Sequence, residues 1–277
     1  MNKEDFFIKQ FIPSKRENNF IGDDAAVIGE DVYSMDAFFE NVHFKRKWFT
    51  LKQIAKKAML VNISDAIVMN AVPKYALLSV AIPKTYSKKD LKELASGFKA
   101  VAKQYGITII GGDTIVNEKL DISITIISKT KKAIYRTGTK KNDLLCYTGS
   151  LGECKRDLEI LLNEGSIASK SKFIKPKLKA EFFYEIVPFI HSALDISDGL
   201  VFELERLSKA NKLGFEFFND LSEEIITSGE EYEILFSFKE KNRKIIEKIA
   251  KKHKVELNIF AKAVKGSYKS PFANHHF

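Results

Sequence analysis

The chain has 277 residues, 45% hydrophobic and 29% charged, with 45 basic against 36 acidic residues for a formal charge of +9; that length buries a substantial core in one large domain or two ordinary ones. The basic excess sits in lysine runs such as Lys239-Glu240-Lys241-Asn242-Arg243-Lys244 and Lys251-Lys252-His253-Lys254; a nucleic-acid surface would gather such charges on one face with aromatic or arginine readers among them, whereas lysine runs on amphipathic helices read as solvated faces. Two cysteines, Cys146 and Cys154, are too few for a disulfide scaffold and lack zinc-site spacing, no signal-peptide core opens the chain and no apolar run reaches membrane-spanning length, so the expectation is a cytoplasmic protein with reduced thiols and no membrane or nucleic-acid partner.

In chain order, Ala25 to Ile28 reads as a strand, and Tyr33 to Phe44, if also a strand, sends Ser34, Asp36 and Phe38 to one side. Thr50 caps a helix over Leu51 to Met69, Tyr75 to Ile82 is a strand, and Ser87 to Tyr105 is a helix. Ile107 to Ile110 and Ile122 to Ile127 are strands. The polar segment Arg136-Thr137-Gly138-Thr139-Lys140-Lys141-Asn142-Asp143 marks a domain boundary, which divides the chain into residues 1–137 and 138–277. Leu144 to Tyr147 opens the second half as a strand. Lys170 to Lys179, with Pro176, reads as an exposed loop or irregular helix; Leu200 to Ala210 is a helix, Ile234 to Phe238 a strand and Lys241 to His253 a helix. Strands interleaved with helices predict an α/β or α+β fold.

Scattered through these elements are short acidic segments: Gly22-Asp23-Asp24, Asp36, Asn62-Ile63-Ser64-Asp65, Gly111-Gly112-Asp113-Thr114 and Asp195-Ile196-Ser197-Asp198-Gly199. Each places an aspartate at a turn, strand end or helix terminus beside an apolar run, where distant segments can converge. Carboxylates sharing a pocket need cations, and oxygen-only ligation suits magnesium bridging protein to nucleotide phosphates.

Ile54, Ala58, Val61 and Asp65 share one helix face. A carboxylate on that apolar face near the helix carboxyl end is costly unless paired or metal-bound; the alternative is a helix that ends a turn early and leaves Asp65 in a loop. Gly111-Gly112-Asp113-Thr114 is predicted as a turn after the strand Ile107 to Ile110, opening into a ligand crevice, or simply as a turn. Ser197 or Asp198 either caps the helix that follows or shares its amino end with an anion or metal. His43, between Val42 and Phe44, is by default a satisfied or surface histidine, and Glu230-Glu231 are either solvated edge charges or a pocket wall. The chain has no Gly-x-x-x-x-Gly-Lys-Ser/Thr loop, protein-kinase catalytic loop or Gly-x-Ser-x-Gly elbow.

Taken together and in order, Gly22-Asp23-Asp24-Ala25-Ala26, Asp36 to Phe44, Val61-Asn62-Ile63-Ser64-Asp65, Gly111-Gly112-Asp113-Thr114, Asp195-Ile196-Ser197-Asp198-Gly199-Leu200 and Ser228-Gly229-Glu230-Glu231-Tyr232-Glu233 resemble the thiamine-monophosphate kinase family. Met35 and Ala37 stand where the family often has threonines, Asn41 replaces a glycine, Glu231 replaces an aspartate, and the second half is short. The resemblance implies a two-domain fold of the aminoimidazole ribonucleotide synthetase type, whose amino-terminal domain pairs strands across a homodimer. It implies transfer of the ATP γ-phosphoryl group to thiamine monophosphate with several magnesium ions and no dedicated protein base. By motif, Asp24, Ser34, Asp36, Asp65, Asp113, Asp195 and Asp198 would ligate metal, Gly112, Asp113, Arg136 and Ser197 would contact ATP, and His43, Glu230 and Phe272 would contact thiamine monophosphate. Asp113 and Arg136 would position phosphate and metal. The rival readings are a sister enzyme resembling selenophosphate synthetase or the hydrogenase-maturation protein, and a non-catalytic nucleotide-binding homologue; no cysteine precedes Cys146 to serve the selenide chemistry.

Overall fold

The computed structural model describes residues 3–11 and 20–272. After a short helix α1 (Lys3–Lys9), five strands form one sheet: β1 (Ala26–Ile28), β2 (Asp31–Phe39), β3 (Val72–Pro83), β4 (Thr108–Asn117) and β5 (Asp121–Lys129), in the order β1-β2-β5-β3-β4. Only the β3–β4 pair is parallel. Between these strands lie α2 (Leu51–Val68) and α3 (Lys88–Tyr105). Both helices begin with a reciprocal capping box, Thr50 with Gln53 and Ser87 with Asp90, which satisfies amides that the first turn leaves open.

Alternation along β2 and β5 buries Val32, Ser34 and Phe38 with Ile122, Ile124 and Ile126 on the side of α2. α3 then closes on α2 through Leu94, Phe98, Val101 and Ala102. A Cβ on Gly97 would lie 2.5 Å from the carbonyl oxygen of Lys52, so only glycine permits that approach.

The second sheet is wholly antiparallel, in the order β7-β9-β6-β10-β8. Its strands are β6 (Leu144–Thr148), β7 (Ile190–Ile196), β8 (Leu213–Phe217), β9 (Glu233–Phe238) and β10 (Leu257–Lys265). Four helices accompany them: α4 (Glu153–Leu162), α5 (Ala180–Ile186), α6 (Leu200–Asn211) and α8 (Arg243–His253); a single turn, α7 (Glu223–Thr227), follows β8. Leu145, Tyr147 and Leu235 pack with Leu200, Leu204 and Leu207 of α6, whereas Cys146, Phe236 and Phe238 pack with Phe182 and Phe183 of α5 and Ile246 of α8. Sheets covered on both faces read as continuous apolar runs, and β9 is buried throughout.

The core of α2 and the first sheet runs unbroken into that of α5 and α8, so α2, buried over most of its length, is the axle of the molecule. Three local expectations need correction. Gly111-Gly112-Asp113-Thr114 is not a turn but the middle of β4, carried there by φ angles of +154° and +142° at the two glycines. Lys170 to Lys179 is no exposed loop, because Ser171, Lys172, Phe173 and Ile174 are buried and Lys172 Nζ reaches Glu231 at 2.6 Å and Glu233 at 2.9 Å. And α6 is capped neither by Ser197 nor by Asp198: Gly199 occupies the cap position.

Candidate active site

Asp24 lies just before β1, Asp65 on the last turns of α2 and Asp195 near the end of β7; one oxygen of each lies within 4.8 Å of the others. The helix continues through Val68, so Asp65 is held on its inner face, and the early-ending alternative is excluded. Asp36 joins from β2, hydrogen-bonded to Asp65. Its position is set by Asn62, whose Oδ1 accepts the Asp36 backbone N–H at 2.7 Å and whose carbonyl accepts Ser34 Oγ–H at 3.1 Å. Ser34 is itself buried. Ser64 Oγ donates to Asp195 Oδ2 at 2.6 Å, so Asn62 and Ser64 of α2 grip both sides of the cluster.

Burial pushes the Asp65 and Asp195 carboxyls well above the carboxylate range, and the neighbouring aspartates push further. Asp36 is pushed up to about 6, first by burial and then by Glu230, Asp24 and Asp198. Asp23 is likewise raised to about 6 by burial. Against this negative charge stands Arg136, whose Nη2 donates to Asp24 Oδ1 at 2.6 Å and whose backbone N–H donates to Asp23 Oδ1 at 2.9 Å. Asp24 Oδ2 and Arg136 Nε are buried without a hydrogen-bond partner among the described residues. Orphaned polar atoms at this density mark a place where a ligand completes the bonding.

The remaining predicted residues divide. Asp198 faces the cluster closely enough to raise Asp36 and is ion-paired with Arg206, which also grips Glu203 at 2.7 Å. Ser197 accepts the Glu230 N–H on its carbonyl at 2.6 Å. Glu230 pairs with Lys57 at 2.7 Å, while Glu231 turns inward, accepting the backbone N–H of Gly152 at 2.7 Å and the hydroxyl of Ser228 at 2.6 Å; Glu230 alone is placed to meet a ligand. His43 uses Nδ1 to accept the Phe39 N–H at 3.0 Å in the turn after β2. Phe272 is tethered beside α6 through Ser270, which donates its N–H to Glu205 at 2.9 Å. Gly112 and Asp113 sit apart on the exposed edge strand β4. The register Ala37↔Ser123, Ser123↔Ser79, Ser79↔Asp113 puts Asp113 three strand spacings, about 14 Å, across the sheet from Ala37.

Residues 22–130 match the family of the AIR synthase related protein, N-terminal domain. Thiamine-monophosphate kinase of Nitrosopumilus maritimus is 30% identical over 220 residues, covering 73% of this chain and 71% of that protein. This chain belongs to the thiamine-monophosphate kinase family. The same-named protein of Bacillus subtilis is 33% identical over 215 residues, 71% of this chain, and the match spans 66% of the Bacillus protein. Among solved structures, AaThiL complexed with AMPPCP and TMP superposes with a TM-score of 0.84 at 23% identity, covering 99% of this chain and 96% of that one. That likeness establishes a common fold.

Two residues of this kinase-family site escaped sequence reasoning. Asn62 lay inside a recognised motif but is an amide in a helix, without chemistry of its own; its role is to fasten β2 to α2. Lys57 lies on a helix otherwise buried by Ile54, Ala58 and Met59, and that mismatch between a cation and its apolar neighbours was the available signal.

Proposed function

We propose that this chain transfers the γ-phosphoryl group of ATP to thiamine monophosphate, giving thiamine diphosphate and ADP. One observation carries the reading: carboxylates from the segment before β1 and from β2, α2 and β7 converge with oxygen donors only, three of them within 4.8 Å. This donor set fits magnesium, and Asp24, Asp36, Asp65 and Asp195, with Ser34 and Asp198 beside them, are the residues to hold it. When bound, magnesium neutralises charge on the triphosphate and on the transferred group. Arg136, braced by Asp23 and Asp24, keeps its buried Nε–H available for a phosphate oxygen. Ser197 is assigned to ATP as well, and His43, Glu230 and Phe272 to the acceptor. That acceptor attacks with an oxygen already ionised on its phosphate, so no side chain need remove a proton, and the chain contributes in-line placement. The relatives' names and the bound AMPPCP and TMP of the similar structure support ATP and thiamine monophosphate as the substrates.

We assign residues 1–137 to metal, nucleotide and dimer contacts and 138–277 to the second α/β unit. Exposure supports a homodimer through the first sheet: Met35, Tyr75 and Leu77 on its outer face, with Ile110, Ile115 and Val116 on β4, stand open to solvent, and such an edge and face ask for cover. Asp113, at an outer-face position in the register, then belongs to that interface. Among the described residues no helix is long and apolar enough to cross a membrane, and we place the reaction in the cytoplasm.

The deciding experiment incubates purified protein with ATP, magnesium and thiamine monophosphate and measures thiamine diphosphate and ADP. Equal amounts of both, abolished by a chelator, are expected. ATP binding without thiamine diphosphate would overturn the assignment.

A further inference from the structure

Lys57 sits in the middle of α2 with 1% of its side chain exposed. Its Nζ lies 2.7 Å from Glu230 Oε2, 3.9 Å from the centre of the Phe173 ring and 5.9 Å from those of Phe38 and Phe49. Taking an ammonium out of water is costly, and a buried ion pair of this kind is commonly no more stabilising than well-packed apolar residues. Stability alone therefore does not account for a lysine here.

Its partner is unusual as well. Glu230 and Tyr232 both adopt left-handed backbone angles, φ +60° and +49°, which non-glycine residues hold at a cost and which cluster at working sites. Their N–H groups are pinned to Ser197 at 2.6 Å and Ile196 at 2.9 Å, immediately after Asp195. Tyr232 Oη donates to Glu230 Oε1 at 3.3 Å, so one carboxylate oxygen is held by the tyrosine and the other by Lys57. Glu230 keeps 27% of its side chain exposed and stands near enough to Asp36 for its charge to act on it. The cation is sealed inside while the anion it holds faces the site.

We propose that Lys57 is a positioning residue: from within α2 it fixes the Glu230 carboxylate in one orientation at the edge of the carboxylate cluster, where Glu230 receives the organic portion of the acceptor. The inference rests on the kinase reading and adds to it a division of labour, with α2 orienting the acceptor through Lys57 and holding metal through Asp65.

Steady-state kinetics of Lys57→Met, Glu230→Gln and the double variant test it. K57M is expected to raise KM for thiamine monophosphate about tenfold, leaving KM for ATP and kcat at saturation within about threefold of wild type. K57M/E230Q is expected to match E230Q alone, because the lysine acts only through the glutamate. A folded K57M whose KM for thiamine monophosphate stays within about twofold of wild type overturns the proposal, as does a double variant far worse than E230Q. If K57M does not fold, the comparison of K57M/E230Q with E230Q, which leaves no buried charge unpaired, carries the same decision. Wild-type protein that makes no thiamine diphosphate brings down the kinase reading; active wild type with an insensitive K57M brings down only the role of Lys57.

Discussion

Asn62 and Asp36 are joined by a 2.7 Å hydrogen bond in which the buried amide oxygen on α2 accepts the backbone N–H of β2. Asn62 also donates Nδ2–H to Ala58 at 3.0 Å, which leaves its side chain one orientation, and Asp36 is thereby delivered to Asp65. Asn62→Ala strands the Asp36 amide in the interior, and an unsatisfied buried donor costs about 1–3 kcal/mol. Urea denaturation should show a loss of that size, and isothermal titration should show weaker magnesium binding. Unchanged stability would mean that the amide finds another partner.

The clustered carboxylates give the metal-free protein a pH dependence of definite sign. Asp36 titrates at about 6 in the folded chain against an ordinary 3.8, so between these values the folded state holds a proton that the unfolded state has released. Stability from this group is therefore greatest at low pH and falls as pH rises through about 6, by on the order of 2–3 kcal/mol; Asp65 and Asp195, also raised, act in the same direction. Asp36→Asn removes the effect. In chelator, melts from pH 4.5 to 7.5 should show D36N gaining on wild type as pH rises. Saturating magnesium should reverse the trend, since the ion binds the deprotonated ligands.

What could be read in the chain was what repeats locally. The Thr50 cap and the helical apolar spacing made α2 and α3 visible, and the acidic segments announced a polyvalent cation site because so many aspartates interrupt apolar runs. Hidden features depended on partners far away. β7, β8 and β10 run into His191, Glu216 or Lys262 and show no clean alternation, yet they are stitched to neighbours across the second sheet. The stretch around Lys172 looked solvated since its partners, Glu231 and Glu233, are about sixty residues distant in sequence. Nor did the pattern around Gly111 and Gly112 separate a turn from a strand, because glycine serves both.

Gly112 is where the strand explanation can be checked. A Cβ there would stand 1.8 Å from the Leu78 carbonyl oxygen, at a φ of +142° that side chains rarely adopt. Gly112→Ala must therefore push β4 off β3 or forfeit part of their ladder, a loss expected to exceed about 2 kcal/mol. Gly22→Ala, at a φ of +123° with open space around its Cβ, carries backbone strain without the collision and should cost less. Thermal denaturation of the two variants ranks them; equal losses would show that backbone strain, not the approach to Leu78, sets the requirement.

The outer face of the first sheet makes the last prediction. Met35 is 66% exposed in mid-strand on β2, and Ile115 55% exposed on β4, although both strands lie in one sheet whose opposite face is a closed core. Solvent-facing strand positions are normally polar, and an apolar face continuous with an unpaired edge is where another chain adds. Met35→Glu combined with Ile115→Lys changes no residue packed against α2, so the monomer fold should persist with unaltered circular dichroism. Each substitution then forces an ionised group into an otherwise apolar interface, which opposes association. Light scattering should report a change from the dimer mass to about 31.5 kDa, and turnover should fall with it if Asp113 works at that interface. A wild-type protein that is monomeric at micromolar concentration would exclude the interface, and full activity in a monomeric double variant would place Asp113 outside the reaction.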